Sequence, residues 1–299
     1  MMIGADIREG EVVALAVDAD GAVTARASVD TRGGGDVAAA VMTAVERATP
    51  ASGGPSSLGI AAPDTAAATA ARVLDSLASR SAGLFERCAT IGRGTAAAVA
   101  EAWAGAARGS ADVVYFAIAG HATAGIVRQG QALTGAHGRE PAVGWLALNP
   151  VEREDYRKAG CLEAEVAAAG IVRRLIWRIK AGDRSRVQDK VNGDLTAITV
   201  DLVLDAARDK DGVSISVMRD TAKYLGMAAS NLVVLADPDT LVLGGIMATA
   251  RDLLLEPIVW ELGRKLPGPM MDALKIATAT LGEDAAAIGA ARHAATQSA

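Results

Sequence analysis

The sequence predicts two related α/β lobes with a cleft between them, and three observations carry that prediction. Three strands, helix, strand, helix, strand, helix come first in order, and the same theme restarts near residue 112. A chain of 299 residues reaches the length, about 250–300 residues, at which single hydrophobic cores stop growing. The composition, 51% hydrophobic and 22% charged, is that of a globular chain. Much of the apolar share is alanine and only 3% of residues are aromatic, so the core is built from small side chains.

The first lobe is expected over 1–111. It opens with three antiparallel strands in MMIGADI, VVALAVDADG and AVTARASVD, the last two joined as a hairpin at Asp20 and Gly21. VAAAVMTAVERATP has helical spacing, with Asp36 as N-cap and Pro50 as the stop. SLGIAAPD returns to strand, TAAATAARVLDSLA to helix and CATIG to strand. TAAAVAEAWAGAARG is a strong helical pattern with Thr95 as N-cap and Gly109 near its end. The second lobe, 112–282, begins with strands in DVVYFAI, AGIVRQG and QALTG. The loop that follows, HGREPAVGWLALNPVEREDYRKAG, is long enough to mark a functional or metal-organised segment. From Cys161 the chain is mainly helical, through CLEAEVAAAGIVRRLIWRIKAG, LTAITVDLVLDAARDK and SISVMRDTAKYLGMAASNLVVLAD. A strand at TLVLGG, a helix at LLLEPIVWELGRKL and a strand at LKIATAT follow. A last helix, AAAIGAARHAAT, lies in 283–299 and is expected to return to the first lobe.

A net charge of -5 argues against a nucleic-acid surface, which concentrates Lys and Arg. No apolar run approaches the roughly 18–20 residues of a membrane span. Asp6, Arg8, Glu9 and Glu11 fall where a signal peptide needs its apolar stretch. The expectation is a cytoplasmic protein with no membrane or nucleic-acid partner. Cys88 and Cys161 are too few for a disulfide framework and read as free thiols.

Several segments in their order and spacing carry a wider likeness: ADI with its strand, AAAVAEAWAGAARG, GIVRQGQALTGAHG, AGCLEA, DPDTLVLGG and AAAIGAA. Together they resemble the ROK family of bacterial repressors and sugar kinases. The resemblance implies a two-lobed actin/hexokinase-like ATPase fold, of the ribonuclease H-like kind, with a central cleft. Repressors of the family carry a helix-turn-helix before the first strand. This sequence starts with that strand at Met2, so DNA binding by that route is expected to be absent.

The motifs that the resemblance ties to catalysis are altered. The Gly-Gly-Thr-Lys turn of the kinases corresponds to DIREGE, which keeps Asp6 and places Arg8, Glu9 and Glu11 where glycines and lysine stand. Glycine allows close backbone approach to phosphate, and added carboxylates repel it. A second glycine-rich run corresponds to AGHATAG, in which only Gly125 matches in place and His121 is new. The family's Asn-Asp pair, whose Asp takes the sugar hydroxyl's proton, corresponds to Gly92 and Arg93. A guanidinium stays protonated, so Arg93 is no base; it is either a solvated helix-end arginine or a new anion contact. Ala142 and Trp145 stand where the resemblance implies a sugar-binding Glu and His, and of the zinc cysteines only Cys161 remains. One thiolate does not make a tetrahedral zinc site.

Glu163 corresponds to a sugar-contacting Glu of the kinases, though the start of a helix favours a Glu with no ligand present. Trp145 is a stacking surface or plain packing. Gly244 and Gly245 match a turn on the adenosine side of the kinases, or serve a tight strand-to-helix connection. The candidate ligand-binding set is Arg93, His121, His137, Trp145 and Glu163, with Gly244 and Gly245 as weak cofactor contacts and no metal. The expected function is a non-catalytic pseudokinase that binds a small polar or acidic ligand without a cofactor, or a regulatory or assembly protein. The alternative is a divergent ATP-dependent sugar or cyclitol kinase using Mg-ATP, with Asp6, Glu140 or Glu163 as relocated base. An apolar stripe in IVRRLIWRIK, including Trp177, suits a homodimer seam or the core.

Overall fold

The computed structural model describes residues 1–50, 56–63, 70–73, 85–137 and 140–297. Of the helix expected in TAAATAARVLDSLA, residues 70–73 are helical and the remainder lies outside the described residues. A first sheet contains β1 (Met2–Arg8), β2 (Glu11–Val17), β3 (Val23–Asp30), β4 (Ser57–Ala62) and β5 (Arg87–Gly92), in the order β3-β2-β1-β4-β5. A second contains β6 (Val113–Ile118), β7 (Ala122–Arg128), β8 (Gln131–Ala132), β9 (Thr240–Gly245) and β10 (Lys275–Thr278), in the order β10-β9-β6-β7-β8.

The two sheets follow one plan. In the first, β1, β2 and β3 form an antiparallel meander while β4 and β5 add parallel strands beside β1. In the second, β6, β7 and β8 form the meander while β9 and β10 add parallel strands beside β6. The strand content of QALTG shrinks to the two residues of β8.

Helix α1 (Val37–Ala48) covers β2 and β3, with the Asp36 side chain accepting from the Ala38 amide and Thr49 as C-cap before Pro50. Two alanine-rich helices, α2 (Arg93–Trp103) and α11 (Ala285–Thr296), pack against each other. Helix α11 also crosses β1, β4 and β5, and α2 crosses β6 and β7. Small residues make this approach possible: a Cβ on Gly289 would lie 1.7 Å from the Ala96 carbonyl oxygen, and one on Gly59 would lie 1.9 Å from that of Ala290. One apolar cluster accordingly joins Met2, Val13 and Leu15 of the first sheet to Val113, Tyr115 and Val242 of the second through these alanines.

The larger core lies behind the second sheet, among helices. They are α3 (Glu154–Ala159), α4 (Cys161–Val166), α5 (Ala168–Lys180), α6 (Arg186–Lys190), α7 (Val200–Arg208), α8 (Gly212–Ala236), α9 (Met247–Lys265) and α10 (Gly268–Ala273). The continuous helical stretch expected after Cys161 is broken at Ala167, which is extended with ψ 160°. Gly170 lets α5 turn closely past α4, since a Cβ there would lie 2.3 Å from the Ala164 carbonyl oxygen. Along α5, Ile171, Leu175 and Ile179 are buried, whereas Trp177 remains 43% exposed. No described helix is long and apolar enough to cross a membrane.

Candidate functional site

Each sheet has a turn between its first two strands, at the carboxyl end of β1 and of β6, on the side where α/β sheets bind ligands. In the first sheet that end is built around Asp6, a fully buried carboxylate between two guanidiniums. Arg8 Nε donates to it at 2.6 Å, and Arg93 donates through Nε at 2.7 Å and Nη2 at 3.1 Å. Arg8 also reaches Glu11 at 3.2 Å and the Glu283 carbonyl at 2.9 Å, and its Nη2 lies 3.6 Å from Asp284, which Arg26 binds from the other side. Burial alone depresses the Arg8 guanidinium, but Asp6 and Glu11 outweigh it and hold the group above its ordinary range.

Arg93 opens α2, where the helix dipole disfavours a cation. Asp6 compensates from one side and Glu140 from the other. Glu140 Oε2 accepts from the Gly94 amide at 2.5 Å and the Thr95 amide at 3.3 Å. This corrects the expected cap. The N-cap is Gly92, three residues before the Thr95 expected, and Thr95 lies inside the helix, with its hydroxyl buried and unbonded. The capping oxygen comes from a residue 45 positions along the chain.

The β6–β7 turn is held by Glu163 of α4. Its Oε2 accepts from the Ala122 amide at 2.6 Å, and its Oε1 pairs with His121 Nδ1 at 2.6 Å. The Ala119 amide is used on the His121 carbonyl at 3.0 Å. Gly125, which matches the family's glycine-rich run, lies where β7 meets α2: a Cβ there would be 2.2 Å from the Gly94 carbonyl oxygen. The neighbour of Trp145, Gly144, lies against Glu163, since a Cβ there would be 3.2 Å from the Glu163 Cβ, and Trp145 itself is 58% exposed. The segment from Glu140 to Trp145 thus runs from the start of α2 to α4. It links the Asp6–Arg93–Glu140 group to the His121–Glu163 group. His137 is exposed in the turn after β8, and no hydrogen bond or ion pair among the described residues joins it to either group.

The glycines Gly244 and Gly245 have packing reasons. A Cβ on Gly244 would lie 2.5 Å from the Tyr115 hydroxyl, a phenol whose pKa burial pushes up to about 12. Gly245 has φ +63°, and the amide after it donates to the Ile118 carbonyl at 2.5 Å. A depression of about 230 Å³, lined by Ala119, Ile246 and Thr249 among others, lies beside this turn.

Around Cys161, the side chains of Tyr156, Ala164 and Leu148 make a small apolar cluster. The Tyr156 hydroxyl donates to the buried Glu165, and burial together with that carboxylate raises the phenol above its ordinary range. Among the described residues, no three His, Cys, Asp or Glu side chains stand together as a metal site.

Sequence reasoning missed Glu101. This fully buried carboxylate accepts from the amides of Ala106 at 2.7 Å, Thr280 at 2.9 Å and Leu281 at 3.0 Å, and so ties the end of α2 to the segment entering α11. A lone charge inside AAAVAEAWA was the signal for it. Arg8 was read only as a lost glycine, not as half of the clamp on Asp6.

The chain and its fold have relatives. A glucokinase of Halalkalibacterium halodurans is 32% identical over 198 residues, 64% of this chain and 59% of that protein. The N-acetylglucosamine repressor of Escherichia coli O157:H7 is 28% identical over 162 residues, 54% of this chain and 38% of the repressor. The chain therefore spans less than two thirds of the curated relatives it matches. In three dimensions, the ROK hexokinase of Thermus thermophilus superposes with a TM-score of 0.80 at 24% identity, covering 98% of each chain. The ROK family glucokinase of Streptomyces griseus, solved with glucose and AMPPNP, superposes with a TM-score of 0.78 at 23% identity, covering 99% of each chain. These neighbours share the two-lobed actin/hexokinase-like fold. The ROK family model matches residues 90–297, from the strand that leads into α2 through the helix that packs against it, and the chain belongs to the ROK family.

Proposed function

We propose that this ROK member is a non-catalytic, pseudokinase-type protein that binds a small polar ligand in its cleft and transfers no phosphate. One observation carries the reading: the groups able to hold a phosphate are engaged by the protein's own carboxylates. Asp6 occupies the guanidiniums of Arg8 and Arg93, Glu140 occupies the amides that start α2, and Glu163 occupies the Ala122 amide and His121. Among the described residues here, six carboxylates, Asp6, Glu11, Glu140, Glu163, Glu283 and Asp284, stand against three ion-paired permanent cations, Arg8, Arg26 and Arg93. That balance favours a neutral ligand over the acidic one also expected from the sequence, and sugars come first because relatives are named glucokinases.

A second reading, a divergent ATP-dependent sugar kinase, draws on Glu140. Its carboxylate stands against Gly92, beside Arg93, where the family resemblance puts the base. To act as one it must first release the Gly94 and Thr95 amides.

A thermal-shift panel of Mg-ATP, Mg-ADP, neutral hexoses and small acids tests the reading. A ligand specific to the folded state adds about 2.7 kcal/mol at a hundredfold excess over Kd. The expected result is no shift with nucleotides and a rise with a neutral sugar. A rise with Mg-ATP overturns it, and hexose-dependent turnover that disappears in Glu140→Gln establishes the second reading.

A further inference from the structure

A groove of about 420 Å³ opens on the second lobe between α5 and α8. None of its lining residues belongs to the cleft groups, although Glu165 on its wall is only two positions from Glu163. Four cations line it, Arg153, Arg174, Arg178 and Lys223, against two carboxylates, Glu165 and Asp220. The protein already engages Glu165, through the Tyr156 hydroxyl and Arg153 Nη1 at 3.2 Å.

Arg174 is the unusual group. Its side chain is 11% exposed, and its Nη2 donates to the Thr221 hydroxyl. Its Nε and Nη1 are buried without any hydrogen-bond acceptor, and Glu165 stays 3.7 Å from Nε, too far to accept. Buried guanidinium N–H groups are costly to leave unbonded, so an unfilled pair marks a place for an acceptor. Lys223, exposed on α8 one turn from Asp220, has no hydrogen bond or ion pair among the described residues.

We propose that this groove binds a small organic phosphate monoester, its oxyanion on Arg174 and Lys223. An unbonded N–H of Arg174 and the Lys223 ammonium each offer a donor to a phosphate oxygen. The volume exceeds that of bare phosphate and falls in the range of small-molecule sites. Asp220 and the Tyr224 hydroxyl on the wall suit the hydroxyls of a polyol body.

The test is isothermal titration of the full chain with glycerol 3-phosphate, inorganic phosphate and glycerol, in the wild type and in Arg174→Met, Lys223→Ala and the cleft variant His121→Ala. Arg174→Met keeps the bulk of the buried side chain, and Lys223→Ala is a surface change that leaves the fold intact. The expected result is saturable binding of glycerol 3-phosphate, at least tenfold weaker for inorganic phosphate and absent for glycerol. That binding weakens at least tenfold in both groove variants and is unchanged in His121→Ala. The proposal is overturned if inorganic phosphate binds equally well, if Lys223→Ala binds as the wild type does, if His121→Ala abolishes binding, or if a second copy of the chain covers the groove and no phosphate binds.

Discussion

At Asp6 a single buried carboxylate answers two guanidiniums that come from opposite ends of the first lobe's sequence. Removing it leaves both cations without their buried partner. Asp6→Ala is therefore expected to cost about 3–5 kcal/mol. Arg93→Ala is expected to cost less, because Arg8 still pairs with Asp6. Urea unfolding of the two variants checks the order, and equal losses would show that Arg8 contributes nothing. Asp211 supports a second residue-scale prediction. It caps α8 by accepting from the Ser214 amide at 2.8 Å, and accepts from the Arg186 amide at 2.9 Å and the Ser185 hydroxyl at 3.1 Å. Burial alone raises this carboxyl, but the hydrogen bonds outweigh it and hold it below its ordinary range. Its contribution is thus complete above the unfolded value of about 3.9 and is lost as pH falls through the lower folded value. Asp211→Ala should lose about 1–2 kcal/mol at neutral pH, and its gap from the wild type should close below about pH 4. A gap that stays constant down to pH 2 contradicts this account of the carboxyl. The Asp211 cap on Ser214 is local, but the partners of Arg93 and of the α2 amides were not legible locally. Arg93 read as either a helix-end arginine or an anion contact to a ligand because its own partner is 87 residues away, and Thr95 read as an N-cap because Glu140 does that work from a distant loop.

Among the elements, the α2–α11 contact carries the most specific demands. Gly289→Ala improves helix propensity by up to about 1 kcal/mol, yet its Cβ falls on the Ala96 carbonyl. Overpacking is expected to win, with a net loss of about 1–3 kcal/mol in chemical denaturation; a stabilised variant would mean that the helices part without strain. Glu101→Ala should cost at least as much, since it leaves the part-buried amides of Ala106, Thr280 and Leu281 without their acceptor. Most elements were legible in the sequence. The meander strands show apolar runs bounded by turn residues, Asp36 and Pro50 bracket α1, and the alanine spacing of α2 and α11 is helical. The break at Ala167 was not legible, because no Gly or Pro marks it; it follows from how α4 and α5 pack, which only the tertiary structure reveals.

For the whole molecule, the repeated order of elements in the chain foretold the repeated plan of the two sheets. The site was legible only through what the family resemblance implied at Arg8 and Arg93, His121 and Trp145. Their common consequence, carboxylates seated on the protein's own donors, appears only when β1, α2, the Glu140 segment and α4 are brought together. His137, whose residue type suggested a ligand contact, is exposed in a turn, and no hydrogen bond or ion pair among the described residues joins it to either group. The central claim is that this self-occupied cleft does not transfer phosphate. Its most direct test is ADP formation from Mg-ATP, measured by a coupled assay across a panel of hexoses with the purified full chain. The account predicts a rate equal to the protein-free control for every sugar. A hexose-dependent rate above that control, lost on Glu140→Gln, would contradict it and assign Glu140 as the base.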